Sequence, residues 1–301
     1  MGTVPEWLEK KAQEAVERQK DVSAKVITEQ KVTEKIRNPD SLTPLPTVYG
    51  YDGEVNMSRI LVKAAHGLNL SQKRLIMYAV SKIHPHAPQP AQLVVRVDAT
   101  DYARDMDVWT NHAYRDLQDS ADALFDRYIS ISRDTPKGRE IEKIHWVSSA
   151  KYHAGEGWVE IRFTPEVSPY LSMLNDGNQV IYKLQTVIDI KSVYAWRLME
   201  LLMQWQDTKR LYIKLEDYRH ALEIPETYRY VDVRLHCIEK PIQELREKCQ
   251  IDIQWTPIKD KENKRRVGSL EFTWKSVEQI EIPLEGGEKP KKKRGRKPKE
   301  A

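Results

Sequence analysis

A segment in the carboxyl-terminal half of the chain carries side chains that can hydrogen-bond to the edges of base pairs. Apolar residues recur at helical spacing through 232–249 and predict a helix with one buried face. These apolar residues are Val233, Cys237, Ile238, Ile242 and Leu245. The candidate base readers lie on the other side of the helix or just before its first residue. They are Arg229, Arg234, His236, Lys240 and Gln243, and Arg234 and Lys240 are the first choices. A major groove admits one helix and exposes base edges to such side chains, although an ordinary solvated helix face is the alternative.

Pro241 interrupts this predicted helix. Proline has no amide hydrogen, so residue 241 cannot donate to the carbonyl of Cys237 as a residue of a regular helix would. The sequence therefore predicts a bend or a restart of the helix at this position.

A basic connection follows the helix and separates two segments of alternating polarity, 251–255 and 267–274. This pattern predicts a β-hairpin with a charged tip. The basic residues of the tip are Lys259, Lys261, Lys264, Arg265 and Arg266. Such side chains can contact phosphates, which positions a protein on DNA without reading its sequence. The region 228–275 holds eleven basic and eight acidic residues, a net charge of +3.

The first half of the chain offers a weaker version of this arrangement. A helix is predicted from residue 110, and its polar side chains near the amino-terminal end are Asn111, Tyr114, Arg115 and Gln118. The segment 110–126 contains four aspartates against Arg115, a net charge of −3, so phosphates would repel its later turns. Two interpretations stay open, DNA contact and protein–protein contact. In a predicted turn at 135–139, Lys137 and Arg139 are expected to be phosphate contacts at most.

The segment 288–300 is the most basic part of the chain. It holds eight Lys or Arg and two Glu, a net charge of +6, whereas the whole chain has a formal net charge of +4. The rest of the chain sums to −2, so attraction to a polyanion must come from local patches. This tail is predicted to be disordered and to raise non-specific affinity for DNA. The alternative is that Arg294 and Arg296, on either side of Gly295, enter a narrow A·T-rich minor groove.

The predicted helices and strands that position these side chains occur in the same order in both halves of the chain. In each half, helices precede a strand, and a further helix leads to two strands joined by a charged turn. This order is typical of a winged helix, and the length of 301 residues suits two domains. The predicted fold class is α+β, with two tandem winged-helix domains. The predicted boundaries are a charged leader and linker at 1–55, a first domain at 56–175, a second at 176–280 and a disordered basic tail at 281–301.

Composition and motifs argue against several other classes of protein. The chain has neither an apolar run of the roughly 18–20 residues that span a membrane nor a signal peptide. Two cysteines cannot build a disulfide framework, so a reducing, cytoplasmic location is expected. Neither a P-loop, a catalytic triad nor metal-ligand spacing occurs, so the expectation is a non-enzyme without metal or cofactor. His84 and His86 are flanked by proline and predict a loop rather than the metal-binding pair of a nickase.

Five segments in a fixed order resemble one known family. The first is Asn69-Leu-Ser-Gln-Lys-Arg-Leu-Ile-Met-Tyr-Ala-Val, and the next is Phe163-Thr-Pro-Glu-Val-Ser-Pro-Tyr-Leu. Segments 192–202 and 240–248 follow, and Gly268-Ser-Leu-Glu-Phe is the last. With these segments the chain resembles, over residues 56–275, the replication initiator (Rep) proteins of theta-replicating, iteron-bearing bacterial plasmids.

The resemblance implies a function in plasmid DNA replication. It implies binding to direct repeats (iterons) in double-stranded origin DNA, a monomer–dimer balance, repression of the protein's own gene as a dimer, and recruitment of the host initiator and replicative helicase. The first domain is then expected to serve dimerisation and auxiliary DNA contact, and the second the main sequence-specific binding. Two other hypotheses stay open. One is a metal-dependent, rolling-circle nickase that uses a tyrosine such as Tyr194, and the other is a plasmid transcriptional repressor without replication activity.

Overall fold

The computed structural model describes residues 53–84, 92–153, 155–172, 174 and 178–276, without the side chains of residues 110–112 and 276. The leader through residue 52 and the basic tail, including Arg294 and Arg296, lie outside the described residues. The predictions made for those two segments are therefore untested.

The described chain alternates short strands with helices. The elements of the first half are β1 (Glu54–Ser58), α1 (Arg59–Lys63), α2 (Leu70–Val80), β2 (Val94–Asp98), α3 (Ala99–Asp105), α4 (Thr110–Leu124), β3 (Tyr128–Thr135), β4 (Gly138–His145), β5 (Val147–His153), β6 (Trp158–Phe163) and β7 (Gln179–Lys183). Those of the second half are α5 (Val193–Met203), β8 (Arg210–Lys214), α6 (Leu215–Leu222), α7, β9 (Ile251–Lys259) and β10 (Val267–Ser276). Helix α7 runs without interruption through three segments, Tyr230–Asp232, a π-helical segment Val233–Glu239, and Lys240–Cys249.

The two halves share one sheet topology. Antiparallel strands form a three-stranded sheet in the order β2–β6–β5 in the first half and β8–β10–β9 in the second. A helix precedes each sheet, α2 or α5, and two helices separate its first strand from its last two. This order of helix, strand, two helices and two strands confirms the predicted pair of winged-helix domains.

The first half adds two features to this shared pattern. Strand β1 pairs antiparallel with β7, so β7 joins the first half of the molecule, and the domain boundary at residue 176 stays a prediction. Strands β3 and β4 form a separate hairpin inserted between α4 and β5. The predicted turn at 135–139 is the tip of this inserted hairpin. The loop between β5 and β6 is instead the counterpart of the charged tip between β9 and β10.

A buried ionic cluster joins α5 to both halves of the molecule. Lys73 of α2 has its Nζ 2.7 Å from Oε1 of Glu200, and Nη1 of Arg197 lies 2.6 Å from Oε2 of the same carboxylate. All three side chains are at most 3% exposed. Arg197 also donates to backbone carbonyls at the ends of α1 and α6, those of Val62, Ala64 and Ala221. The cluster therefore links the carboxyl-terminal ends of two helices from different domains through one helix.

Candidate nucleic-acid interface

Helix α7 has the buried face that its apolar spacing predicts. The buried side chains are Val233, Cys237, Ile238, Ile242 and Leu245. Among the predicted base readers, Arg229, Arg234, Lys240 and Gln243 are exposed, and His236 is partly buried. The structure thus brings all five to one helix and its entry, while their contact with bases stays a prediction.

The predicted readers on α7 and at its entry have partners on the same segment. The pairs are Arg229 with Asp232 (3.6 Å), Arg234 with Glu239 (3.4 Å), His236 with Lys240 (3.4 Å) and Gln243 with Glu247 (2.9 Å). Such exposed pairs contribute at most about 1 kcal/mol each. A base edge can therefore replace these partners at little cost.

Sequence reasoning missed two exposed apolar side chains on α7. Val231 is 59% exposed and Leu235 is 43% exposed, and Leu235 follows the predicted reader Arg234. Apolar side chains can contact the methyl group of thymine in a major groove. The signal available in the sequence is that both residues fall off the buried face, where an apolar side chain has no packing role.

The helix does not break at Pro241. Through Val233–Glu239 it is widened into π geometry, which ends where the amide of Lys240 donates to the carbonyl of Leu235, five residues earlier. Pro241 then lies in the first turn of the following α-helical segment, a position that proline tolerates. The bend or restart expected from the sequence is instead a widened turn.

The tip between β9 and β10 is a compact turn organised by Asp260. Its Oδ1 accepts hydrogen bonds from the amides of Glu262 (2.8 Å) and Asn263 (2.9 Å), and its own amide donates to the carbonyl of Arg266 (3.0 Å). Hydrogen bonds from the amides of Asn263 and Glu262 lower the pKa of the Asp260 carboxyl. Since the turn is held by its backbone and by Asp260, its basic side chains are not needed to fold it.

The basic side chains of this tip project into solvent. All five are exposed: Lys259, Lys261, Lys264, Arg265 and Arg266. Within the described residues, no carboxylate lies within 4.0 Å of their nitrogen atoms. We call this tip and its five basic residues the wing. The wing therefore exposes five basic side chains against the two carboxylates of Asp260 and Glu262, and it belongs to the same domain as α7.

The first domain places its predicted readers less favourably. Tyr114 packs against the core and its hydroxyl is buried without a hydrogen-bond partner in the described structure, so its role as a base reader stays a prediction that this burial disfavours. Arg115 is exposed and Gln118 is partly buried, so both stay predictions. Asn111 lies in α4, but its side chain lies outside the described structure. The aspartates of this region are exposed, namely Asp116, Asp119, Asp122 and Asp126.

The inserted hairpin of β3 and β4 contacts the second domain. Nη1 of Arg139 lies 2.6 Å from Glu216, and Nη2 lies 3.1 Å from Asp217, both in the first turn of α6. Nε2 of His220 lies 3.0 Å from the carbonyl of Ser130 in β3. Two carboxylates thus contact the guanidinium of Arg139, and its role as a phosphate contact stays a prediction. Lys137 at the same tip is exposed, and its prediction stands untested.

Two family descriptions match this chain in succession. Initiator Replication protein, WH1, matches residues 54–203, and Initiator Rep protein, WH2, matches residues 214–274. The chain belongs to the Rep family of theta-plasmid replication initiators. These matches include the sheet of β2, β6 and β5, helix α7 and strand β9 of this Rep chain, and the wing falls in the WH2 match.

Relatives of this Rep chain support the same family. The Replication initiation protein of Escherichia coli is 26% identical over 200 residues, which span 62% of this chain and 61% of that relative. The PI protein of Escherichia coli is 23% identical over 239 residues, 68% of this chain and 77% of that relative. A crystal structure of Pi initiator protein in complex with iteron DNA has a TM-score of 0.60 at 18% identity, over 74% of this chain and 96% of that chain. This structural likeness shows the shared fold.

Other sites considered in the sequence receive no support from the described geometry of this Rep chain. Burial raises the pKa of Tyr194 to about 12, whereas a nucleophilic phenolate requires a lower pKa. Within the described ranges, no group of three or more His, Cys, Asp or Glu side chains could hold a metal ion. In the same ranges, no helix is long and apolar enough to cross a membrane. His84 is described but His86 is not, so the predicted loop between them lies partly outside the structure.

Proposed function

We propose that this Rep chain is a sequence-specific, non-enzymatic protein that binds direct repeats in a plasmid origin and initiates replication there. The observation that carries the proposal is the second winged helix, where α7 exposes Arg234, Lys240 and Gln243 and the wing of the same domain exposes five basic side chains. A helix with such side chains suits a major groove, and a basic wing suits the flanking phosphates. That a Pi initiator protein of the same fold was solved with iteron DNA supports this choice of ligand.

Within this proposal, the two domains do different work. The second domain reads sequence through α7 and grips phosphates through the wing. The first domain serves dimerisation and auxiliary DNA contact. Its exposed aspartates at 116–126 repel phosphates and so support a protein contact, and the exposed Arg115 in α4 is the candidate for the DNA contact. Joining the two domains raises the effective concentration of the weaker binder at the site.

The remaining parts of the proposal rest on family membership. We infer that the protein recruits the host initiator and the replicative helicase, represses its own gene as a dimer and works in the bacterial cytoplasm. The proposed mechanism uses no cofactor of this protein. Binding energy deforms the duplex next to the repeats, and the host replication enzymes then act on the deformed DNA.

A footprint of the full chain on DNA flanking its own gene tests the proposal directly. We expect protection of direct repeats with a spacing near one helical turn or a multiple of it. Protection of no repeated sequence would contradict the proposed ligand. An origin-dependent transformation assay separates an initiator from a plain repressor, because only an initiator maintains the plasmid.

We also predict that the purified protein does not cut DNA. Incubation with supercoiled origin plasmid and Mg²⁺ or Mn²⁺ should leave the plasmid supercoiled, since burial raises the pKa of Tyr194 instead of activating it. Agarose electrophoresis and a gel-shift of denatured samples measure nicking and covalent attachment. A nicked circle or a protein–DNA adduct would establish the nickase hypothesis instead.

Replacing Arg234 with alanine should relax sequence discrimination. A good contact of an arginine with a base edge contributes about 1–3 kcal/mol, so affinity for the repeat should fall about 5- to 150-fold, with preference lost mainly at one base pair. Competition binding against repeats that carry single substitutions measures this. Arg246→Ala is the matched control, because Arg246 lies on the same helix and is equally exposed and paired, with Asp252, but is not a predicted base reader. Equal losses in both variants would refute the assignment of Arg234.

A further inference from the structure

The carbonyl of Cys237 in α7 has an unusual hydrogen-bond donor. In a regular helix the amide of residue 241 would donate to it, but Pro241 has no amide hydrogen. Cys237 is fully buried, and a buried carbonyl without a donor is costly. The hydroxyl of Tyr218 in α6 donates to this carbonyl at 2.6 Å. Tyr218 therefore replaces the amide that proline removes.

Tyr218 is firmly held in this position. Its side chain is fully buried, and its ring stacks on Phe272 of β10 with 5.7 Å between centroids and an interplanar angle of 27°. Phe272 is itself fully buried in the sheet of the second domain. The hydroxyl is thus carried by a ring that is anchored to the core, so the position of the Cys237 carbonyl is fixed relative to the sheet.

The same stretch of α7 is the π-helical segment Val233–Glu239. A turn that closes five residues back holds one residue more than an α turn, and one residue corresponds to about 100° of helical rotation. The widened turn therefore sets the angle between side chains that precede it and side chains that follow it. Arg234 lies at its start, whereas Lys240 and Gln243 lie beyond its end.

The ion pair of Arg234 reflects the rotation of side chains by the widened turn. Nε of Arg234 lies 3.4 Å from Oε1 of Glu239, five residues later. In an α-helix, neighbours on one face are three or four residues apart, and a pair five apart points in different directions. The orientation of Arg234 is therefore a product of the widened turn.

We propose that Tyr218 is a positioning residue for sequence discrimination, whose hydroxyl keeps α7 widened around Cys237 and so sets the angle between Arg234 and the later readers Lys240 and Gln243. This inference rests on the proposed function, because it assigns a role in reading bases. Tyr218 touches no DNA in this role. It acts through the helix that does.

The first test is Tyr218→Phe, measured by fluorescence anisotropy on the duplex protected in the footprint and on a scrambled duplex of equal composition. The ratio of the two affinities should fall about tenfold, because the Cys237 carbonyl loses its donor while Pro241 still supplies no amide, so the angle between the base readers is no longer fixed. Affinity for the scrambled duplex and its salt dependence should stay unchanged, because the wing is untouched. An unchanged ratio would overturn the proposal.

Tyr78→Phe is the matched control. Tyr78 is another buried tyrosine, and its hydroxyl donates to Asp105 at 2.9 Å in the first domain, far in sequence from α7. Its loss should leave the ratio of affinities at the wild-type value when both variants are fully folded by circular dichroism. A tenfold fall in this variant as well would mean that any lost tyrosine hydrogen bond has the effect, and would overturn the proposal.

The double variant Tyr218→Phe with Pro241→Ala separates positioning from stability. Alanine returns an amide that can donate to the Cys237 carbonyl, so the midpoint of unfolding should recover toward the wild type. The ratio of affinities should stay low, because α7 can then close with α spacing. If both the midpoint of unfolding and the ratio of affinities recover, the widened turn does not set sequence discrimination. A wild-type ratio near one would instead mean that the proposed function itself fails, and the inference with it.

Discussion

Replacing Glu200 with alanine should lower the free energy of unfolding by about 3–5 kcal/mol. The carboxylate accepts hydrogen bonds from Lys73 and Arg197 and from the hydroxyl of Tyr182 at 2.8 Å, and it is completely buried. Burial alone would raise the pKa of Glu200, yet Lys73 and Arg197 hold it below its ordinary value. Without the carboxylate, two cations remain in the core with one partner fewer each. Urea denaturation followed by tryptophan fluorescence and circular dichroism measures the loss.

The matched control for this variant is Glu271→Ala. Glu271 also pairs with an arginine, Arg210, but the side chain of that arginine is 67% exposed. Its loss should lower the free energy of unfolding by less than about 1 kcal/mol. If Glu200→Ala costs no more than this control, the ionic cluster does not hold the two domains together.

A pair of substitutions at the cluster tests whether its members act together. Lys73→Met removes one cation that Glu200 neutralises, so the double variant Lys73→Met with Glu200→Ala should lose less stability than the two single losses combined. Additive losses would indicate that the two side chains act independently. The comparison requires that the two spectroscopic probes give coincident transitions.

The parts of the fold that depend on local pattern were predictable from the sequence. The buried face of α7 follows from apolar spacing, and the wing follows from two alternating segments around a basic connection. The repeated order of helices and strands then predicts the winged helices. In these places, neighbours in sequence supply the contacts that decide the structure.

The parts that depend on distant partners were not predictable in this way. The sequence places the start of β1 in a linker and predicts no strand there, because its pairing partner β7 lies more than a hundred residues later. The sequence around Arg139 does not indicate that α6 brings Glu216 and Asp217 into contact with it. Pro241 predicts a disturbed helix, but the hydroxyl that donates to the Cys237 carbonyl comes from Tyr218 on another helix, α6.

Replacing Lys264, Arg265 and Arg266 together with alanine should produce the largest loss of DNA affinity. All three are exposed on the wing, and none has a carboxylate partner within 4.0 Å in the described residues. Each phosphate contact contributes about 0.9 to the slope of log affinity against log salt, so the slope should flatten by about 2.7. If the variant and the wild type bind equally at 1 M salt, this change of slope lowers the affinity at 0.1 M salt by about two to three orders of magnitude. Affinity should fall equally for the repeat and for scrambled DNA, because phosphates carry no sequence information.

The control for the wing must remove the same charge elsewhere. Lys63, Lys143 and Lys183 are exposed in the first domain and are not among the predicted contacts, so their replacement by alanine should leave the slope nearly unchanged. Comparing the two triple variants separates a contact at the wing from a general effect of net charge, which acts over about 10 Å at 0.1 M salt. The turn itself should persist in the wing variant, because Asp260 and backbone amides hold it. An unchanged slope in a folded wing variant would place the phosphate contacts of the second domain on some other surface.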